Sequence, residues 1–211
     1  MLSCTAMRAS RAKAWGPRLS WRRSGAIIAL AFALLFGIAP GVSAAEETGL
    51  WRALGSKGIV ALLRHAIAPG TGDPSEFAIG DCGTQRNLSD EGRKQAARIG
   101  ARLRENGIKT ARIISSQWCR CLETARLLGL GPVMELPILN SFFQRPERRT
   151  RETQALEEWL ARQNLDGPIV LVTHQVNITA LTGVYPASGE LVVVRHSKNG
   201  KISTVGSVET D

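Results

Sequence analysis

The sequence predicts a three-layer α/β/α sandwich on a mostly parallel sheet, and three observations predict it. Short apolar runs bounded by glycine and proline recur, the clearest being Gly58-Ile59-Val60-Ala61-Leu62-Leu63 and Ile169-Val170-Leu171-Val172-Thr173. Such runs read as buried strands. Between them lie stretches with apolar residues at helical spacing, as at Ala96, Ile99, Gly100 and Leu103. The two kinds alternate, and alternation implies helices packed on both faces of a parallel sheet.

The first 45 residues are expected to be a leader. Residues 1–25 carry six bases and no acid, an apolar run spans Ala26 to Ala39, and Val42-Ser43-Ala44-Ala45 follows. That order reads as a secretory signal peptide cleaved after Ala44 or Ala45. The run is shorter than the roughly 20 apolar residues of a membrane span. Residues 46–211 then form the domain, long enough for a real core. Removing the six leader bases turns the formal charge of +9 into +3. That balance asks for no nucleic acid and no membrane surface as partner, and no stable membrane insertion is expected after cleavage.

Residues 58–64 read as the first strand, followed by a loop over 67–87 rich in Gly, Pro and Asp. Ser89 fits an N-cap, with Asp90 and Glu91 in the first turn of a helix that runs to about Glu105 and closes at Asn106-Gly107. A short strand over 111–115 precedes a helix from Trp118 to Leu128, with Cys121, Ala125 and Leu128 inward. Residues 133–136 suggest another strand, and 141–150 a polar, arginine-rich loop. An amphipathic helix is expected from Thr153 to Ala161, a strand ending at His174, and a short helix from Val176 to Leu181. Strands at 190–196 and 201–206 would close the sheet as a hairpin around Asn199-Gly200. Cys82, Cys119 and Cys121 lie beyond the leader. In an oxidising compartment Cys82 would bond to either Cys119 or Cys121; three free buried thiols are the alternative.

In open α/β sheets ligands bind beyond the carboxyl ends of the strands. His65 and His174, two of only three histidines, end the two strongest strands. Arg64 stands beside His65, and arginine supplies a rigid, permanently charged fork that suits phosphoryl oxygens. Arg120 and Thr124 lie one turn apart on a helix and share a face, and that helix starts just past a strand end, where its amides could also face an anion. Together these suggest a phosphate site containing a nucleophile. Arg86 could reach it from the loop, with a surface role equally open. His196, beside Arg195 near a hairpin turn, suggests no special role; the basic cluster Arg145, Arg148, Arg149 and Arg151 reads as a solvated face, with a contact to an anionic substrate as the alternative.

Four segments, in order, resemble the motifs of one family. Leu63-Arg64-His65-Ala66 resembles the Arg-His-Gly/Ala signature of the histidine phosphatase superfamily, the phosphoglycerate-mutase-like fold. Leu88-Ser89-Asp90-Glu91-Gly92-Arg93-Lys94-Gln95-Ala96 resembles its helix start, and Ser115 to Ala125 its Ser-Ser…Arg-Ala…Thr-Ala segment, with Cys121 in the Ala place. Val172-Thr173-His174 resembles the second-histidine motif. Any one motif is weak; four in order are strong. The resemblance implies that His65 becomes a phosphohistidine, that Arg64, Arg120 and His174 form the phosphate pocket, and that no metal or cofactor takes part. Joined to the leader read in residues 1–45, it implies an exported phosphatase acting on a phosphorylated small molecule or envelope component.

One expected part is missing. Hydrolysis of an ordinary phosphomonoester needs an acid for the leaving oxygen. One branch of the family has a Glu after a middle strand, where this chain reads Leu139-Asn140-Ser141-Phe142-Phe143. The other has an acid after the second histidine, where this chain has Gln175. Glu190, Asp73, Glu76 and Asp81 are the remaining candidates. A good leaving group would need no acid, as for the small phosphohistidine phosphatases that also carry Arg-His-Ala. The alternative from another class is a non-catalytic module of the same fold that binds phosphorylated ligands through Arg64 and Arg120.

Overall fold

A computed structural model describes residues 44–197 and 200–210. The expected leader falls outside these residues apart from Ala44 and Ala45, and so does Asn199 of the expected hairpin turn.

The chain runs α1 (Ala44–Leu54), β1 (Ile59–Arg64), α2 (Asp90–Glu105), β2 (Arg112–Ser115), α3 (Cys119–Leu127), β3 (Val133–Glu135), α4 (Arg149–Ala161), β4 (Ile169–Thr173), α5 (Gln175–Thr182), β5 (Leu191–His196) and β6 (Ile202–Val208). One six-stranded sheet has the order β3-β2-β4-β1-β5-β6. The pairings β3–β2, β2–β4 and β4–β1 are parallel, whereas β1–β5 and β5–β6 are antiparallel. β1 and β4 are buried almost throughout, which is why both read as near-continuous apolar runs.

Alternate strand residues feed two cores. Ile59, Ala61, Leu63, Ile113, Val170 and Val172 pack against Leu50, Trp51, Ile99, Leu103, Cys121 and Ala125, which places α1, α2 and α3 on one face. Val60, Leu62, Ile114, Ile169 and Leu171 pack against Leu156, Leu160 and Ile178, which places α4 and α5 on the other. The predicted three-layer α/β/α sandwich is therefore the observed one.

This arrangement dictates where a ligand can enter. β1 and β4 are parallel neighbours, with Arg64 opposite Thr173. The chain leaving β1 goes to α2 on one face, and the chain leaving β4 goes to α5 on the other. A crevice opens where neighbouring connections part in this way. Its lips are the residues just past the two strands, His65 and His174.

Predicted capping holds at α2: the Ser89 hydroxyl accepts from the Gly92 amide at 3.0 Å. Gly92 is also a packing requirement, because a Cβ there would sit 2.0 Å from the Ile67 carbonyl oxygen. Without a side chain, α2 can close on the segment that leaves β1 two residues after His65. Most boundaries fall within a residue of expectation, and three differences are larger. α1 was not foreseen, and it packs Leu50, Trp51 and Leu54 on the sheet. α4 begins at Arg149 rather than Thr153, absorbing part of the expected loop; Arg148 pairs with Glu152 one turn on, at 2.5 Å. β6 reaches Val208 rather than residue 206.

Cys82 is bonded to Cys119, one of the two pairings expected, and Cys121 is a buried free thiol. The bond ties the 67–87 loop to the first residue of α3. Phe77 adds to the tie by stacking on Trp118, with ring centroids 4.7 Å apart. The Gln85 side chain adds another, accepting from the Cys119 amide at 2.9 Å.

Candidate active site

His65 continues the β1–β4 ladder by one rung, its amide donating to the Thr173 carbonyl at 3.0 Å. Its ring is 3 % exposed at residue level, with Nδ1 2.8 Å from the Ala66 carbonyl oxygen. A carbonyl can only accept, so Nδ1 carries the proton and the neutral ring keeps its lone pair on Nε2. The Arg120 Nε–H points at that lone pair from 3.2 Å. Burial first, and the Arg120 charge second, push the His65 pKa down to about 3. The imidazole is thus neutral at physiological pH, with Nε2 aimed into the crevice as a nucleophile requires.

His174 lies beside it, ring centroids 5.5 Å apart and planes at 70°. Burial, then Arg120 and His65, hold its pKa well below the ordinary histidine value. Its Nε2 is 2.9 Å from the Ser116 hydroxyl, and that hydroxyl is 3.1 Å from Asn140 Oδ1. Asn140 Oδ1 also accepts from the Gln117 amide at 2.8 Å. Ser116 has one proton and Asn140 Oδ1 can only accept, so Ser116 donates to Asn140 and His174 Nε2–H donates to Ser116. Asn140 therefore occupies the stretch where an acid was sought and instead fixes the tautomer of the second histidine. Neither Ser116 nor Asn140 was singled out by sequence for this role.

Three arginines face the same cavity, whose volume is about 150 Å³: Arg64, Arg86 and Arg120, together with both histidines. Arg64 Nη1 donates to the Pro186 carbonyl at 2.8 Å, and its Nε is buried without a hydrogen-bond partner among the described residues. Arg86 holds the loop from inside, its Nε donating to Gly72 O at 2.8 Å and its Nη1 to Ala68 O. Arg120 is held as a two-pronged pair by Asp73, Nη1–Oδ1 2.6 Å and Nη2–Oδ2 3.0 Å. Phe143 and Tyr185, 51 % and 74 % exposed, stand at the cavity margin.

Thr124, expected in the pocket, does not line it. Its hydroxyl donates to the Arg120 carbonyl at 2.7 Å and accepts from the Ala66 amide at 3.0 Å. It bolts α3 to the residue after His65 and so positions the site from behind. The amides of Trp118 and Cys119, at the entry to α3, are committed elsewhere: Trp118 N to Ser116 Oγ and Cys119 N to Gln85 Oε1. His196 lies at the far end of β5, and its amide donates to Gly58 O at the start of β1.

Asp73 is the main residue that sequence could not rank among the acids. Burial disfavours its charge, yet the hydrogen bonds and charge of Arg120 prevail and keep its pKa below the ordinary carboxylate value. The Trp118 indole Nε1 at 3.0 Å and the Arg86 amide at 3.3 Å complete its shell. Glu190 is held away from the cavity, accepting from the Ala187 amide at 2.6 Å. Glu76 pairs with the Ser75 hydroxyl, and Asp81 caps the Gly83 amide.

A stability prediction follows from the buried histidines. Above pH 6.5 His65 is neutral folded and unfolded, so it contributes no pH dependence. As pH falls from about 6.5 toward about 3, the unfolded chain takes up a proton that the folded site refuses, and stability is lost. Between pH 6.5 and 4.5 the His65 share is on the order of 2–3 kcal/mol. Urea unfolding of wild type and His65→Gln at both pH values checks this. The variant should lose less over the interval, and parallel losses would contradict the assignment.

Residues 60–141 match the sequence model of the histidine phosphatase superfamily (branch 1). No curated protein matches the chain. Among solved structures, the protein histidine phosphatase SixA complexed with tungstate is similar at 14 % identity, covering 72 % of this chain and 97 % of its own, with a TM-score of 0.53. Phosphoserine phosphatase from Entamoeba histolytica, in complex with 3-phosphoglyceric acid, is similar at 14 % identity, covering 72 % and 98 %, TM-score 0.53. Mycobacterial hydrolase 1 is similar at 18 % identity, covering 72 % and 97 %, TM-score 0.52. At these identities the likeness is one of fold.

Proposed function

We propose that the chain is a member of the histidine phosphatase superfamily, a reading supported by the match over residues 60–141 and by the similar fold of solved phosphatases, and that it is a metal-independent phosphatase working through a phosphohistidine on His65. The observation that carries this is the His65 ring. Its Nδ1–H is held by its own neighbouring carbonyl, which leaves the Nε2 lone pair, capped only by the Arg120 Nε–H, in a cavity lined by three guanidiniums.

A phosphoryl group entering that cavity meets Arg64, Arg86 and Arg120, which neutralise the charge on its nonbridging oxygens. His65 Nε2 attacks phosphorus and the ester oxygen leaves with its alcohol. Water then cleaves the phosphorus–nitrogen bond and releases phosphate. His174, neutral and pinned by Ser116, lines the same cavity and keeps the imidazole pair in fixed relation. The substrate is a phosphomonoester, either a small molecule or an envelope component. The leader read in residues 1–45 supports an exported, periplasmic or secreted location, and a Cys82–Cys119 disulfide suits an oxidising compartment.

The test is acid-quench trapping. The protein is mixed with p-nitrophenyl phosphate, quenched in the millisecond to second range, and weighed intact. A phosphoryl adduct on His65, with phosphate released on longer incubation, is the expected result. Tight phosphate binding with neither adduct nor turnover across many donors would replace this reading with a phospho-ligand-binding module.

A further inference from the structure

We propose that Asp73 is the acid that protonates the leaving oxygen, released for that task when the incoming phosphoryl group takes its place on Arg120. The assignment rests on the phosphatase reading above and supplies the part that both family positions lack, where this chain has Asn140 and Gln175.

Among the described residues, Asp73 is the only carboxylate lining the cavity. Its side chain is 7 % exposed, so a proton placed on it is shielded from bulk water. Its two oxygens hold the two terminal nitrogens of Arg120, at 2.6 and 3.0 Å, while the third nitrogen of that guanidinium faces His65 Nε2 at 3.2 Å. The carboxylate is thus one guanidinium away from the nucleophile. It sits on the two-pronged donor pair that a phosphoryl group needs, because arginine binds carboxylate and phosphate in the same way. A substrate that claims Arg120 must displace Asp73. The displacement is local, because the loop is tied by the Cys82–Cys119 bond, the Phe77–Trp118 stack and the Arg86 hydrogen bonds to Gly72 and Ala68. The carboxylate remains beside the phosphoryl group.

The proton balance closes without any other reactant. A phosphomonoester has its second pKa near about 6 and brings a proton when it binds as the monoanion. Once the phosphoryl oxygens hold Arg120, Asp73 has lost its two strongest donors and faces an anion, so the proton passes to it. His65 Nε2 gives its electron pair to phosphorus, and the phosphorus–oxygen ester bond breaks. The leaving oxygen keeps that bonding pair and takes the Asp73 proton, giving the alcohol. In the second half, water attacks phosphorus, the phosphorus–nitrogen pair returns to Nε2, and the Asp73 carboxylate accepts the water proton. In the ligand-free site the groups facing Asp73 are Arg120, Arg86 and Trp118, with His65 beyond the guanidinium; once substrate holds Arg120, Arg86 and Trp118 remain.

The experiment compares phosphoenzyme formation in single turnovers of wild type, Asp73→Asn and Asp73→Glu. The donors are p-nitrophenyl phosphate, whose leaving group needs no acid, and glycerol 1-phosphate, whose leaving group does. Asp73→Asn should slow the alkyl donor by about 10²–10⁴-fold and the nitrophenyl donor by less than about tenfold. Asp73→Glu should restore part of the alkyl rate, and it also carries the test if the Asn variant does not fold. Equal losses on both donors would overturn the assignment and make Asp73 a positioning residue for Arg120. A faster or tighter-binding Asp73→Asn variant would overturn it in favour of a plain competitor for the phosphate seat. Absence of any adduct or turnover in wild type would overturn the phosphatase reading itself and this assignment with it.

Discussion

His65→Ala is expected to yield a folded protein that forms no phosphoryl adduct and loses at least about 10⁴-fold in turnover. The size of the effect comes from the absence of a substitute in the cavity. His174 has its Nε2 committed to Ser116, which is committed to Asn140. Cys121 lies near, its sulfur 3.5 Å from His174 Nε2, but burial pushes its pKa up to about 12. A buried thiol of that kind is inert as a nucleophile. The fold should survive, because the His65 imidazole makes one side-chain bond to its own neighbour and one to Arg120. Intact-mass trapping and steady-state turnover of the variant check both halves. Retention of the adduct would move the nucleophile to another residue.

Arg120→Ala is expected to be the most costly single change in the site for stability, and to lower activity as well. Arg120 and Asp73 are 3 % and 7 % exposed at their side chains. Removing the guanidinium leaves a buried carboxylate with only the Trp118 indole and the Arg86 amide as donors. Breaking a buried pair from one side costs roughly 3–5 kcal/mol, much of it the unpaired charge left behind. The double variant Arg120→Ala/Asp73→Ala should therefore be more stable than Arg120→Ala alone. Urea midpoints of the four proteins in the cycle measure this directly. Additive losses would mean that the pair is not coupled. On activity, loss of a preorganised donor to the transferring group costs about 10²–10³-fold. Arg120→Lys should recover little, since a lysine presents a point charge in place of the fork.

The sheet was legible because its central strands carry their signal locally. Ile59–Leu63 and Ile169–Val172 are buried on both faces, so sequence shows them as unbroken apolar runs. Ser89 announced α2 through its cap. α4 had no such announcement: Arg148 stands at its cap position without a capping side chain, and the first polar turn looked like loop. α1 buries Leu50, Trp51 and Leu54, too short a stripe to establish a helical period next to a leader-like segment. In the site, Arg64, His65 and His174 could be read because strand ends fix them. Thr124 shares a helix face with Arg120, which sequence showed, but which way that face turns depends on where Ala66 lies. Asp73 was invisible as more than one acid among four. Its pairing with Arg120 spans 47 residues and is set by the path of a loop with no periodicity. The Cys82 bond to Cys119 rather than Cys121 was open for a related reason. α3 turns Cys119 toward the loop and Cys121 into the core, and which face is which emerges only on packing.

The two histidines owe their common address to the sheet. Arg64 and Thr173 are register partners on adjacent strands, so the backbones of His65 and His174 follow at the next position, at about the 4.8 Å strand spacing that backbone hydrogen bonding imposes. Side-chain bonds then set the rings, 5.5 Å apart: Ala66 O and Arg120 for His65, Ser116 for His174. The two imidazoles are thus carried by strand ends, whereas Asp73 and Arg86 come from the 67–87 loop, whose path is held by the Cys82–Cys119 bond and the Arg86 hydrogen bonds to Gly72 and Ala68. The parts left free to vary for a different phosphoester are the exposed Phe143 and Tyr185 at the cavity margin.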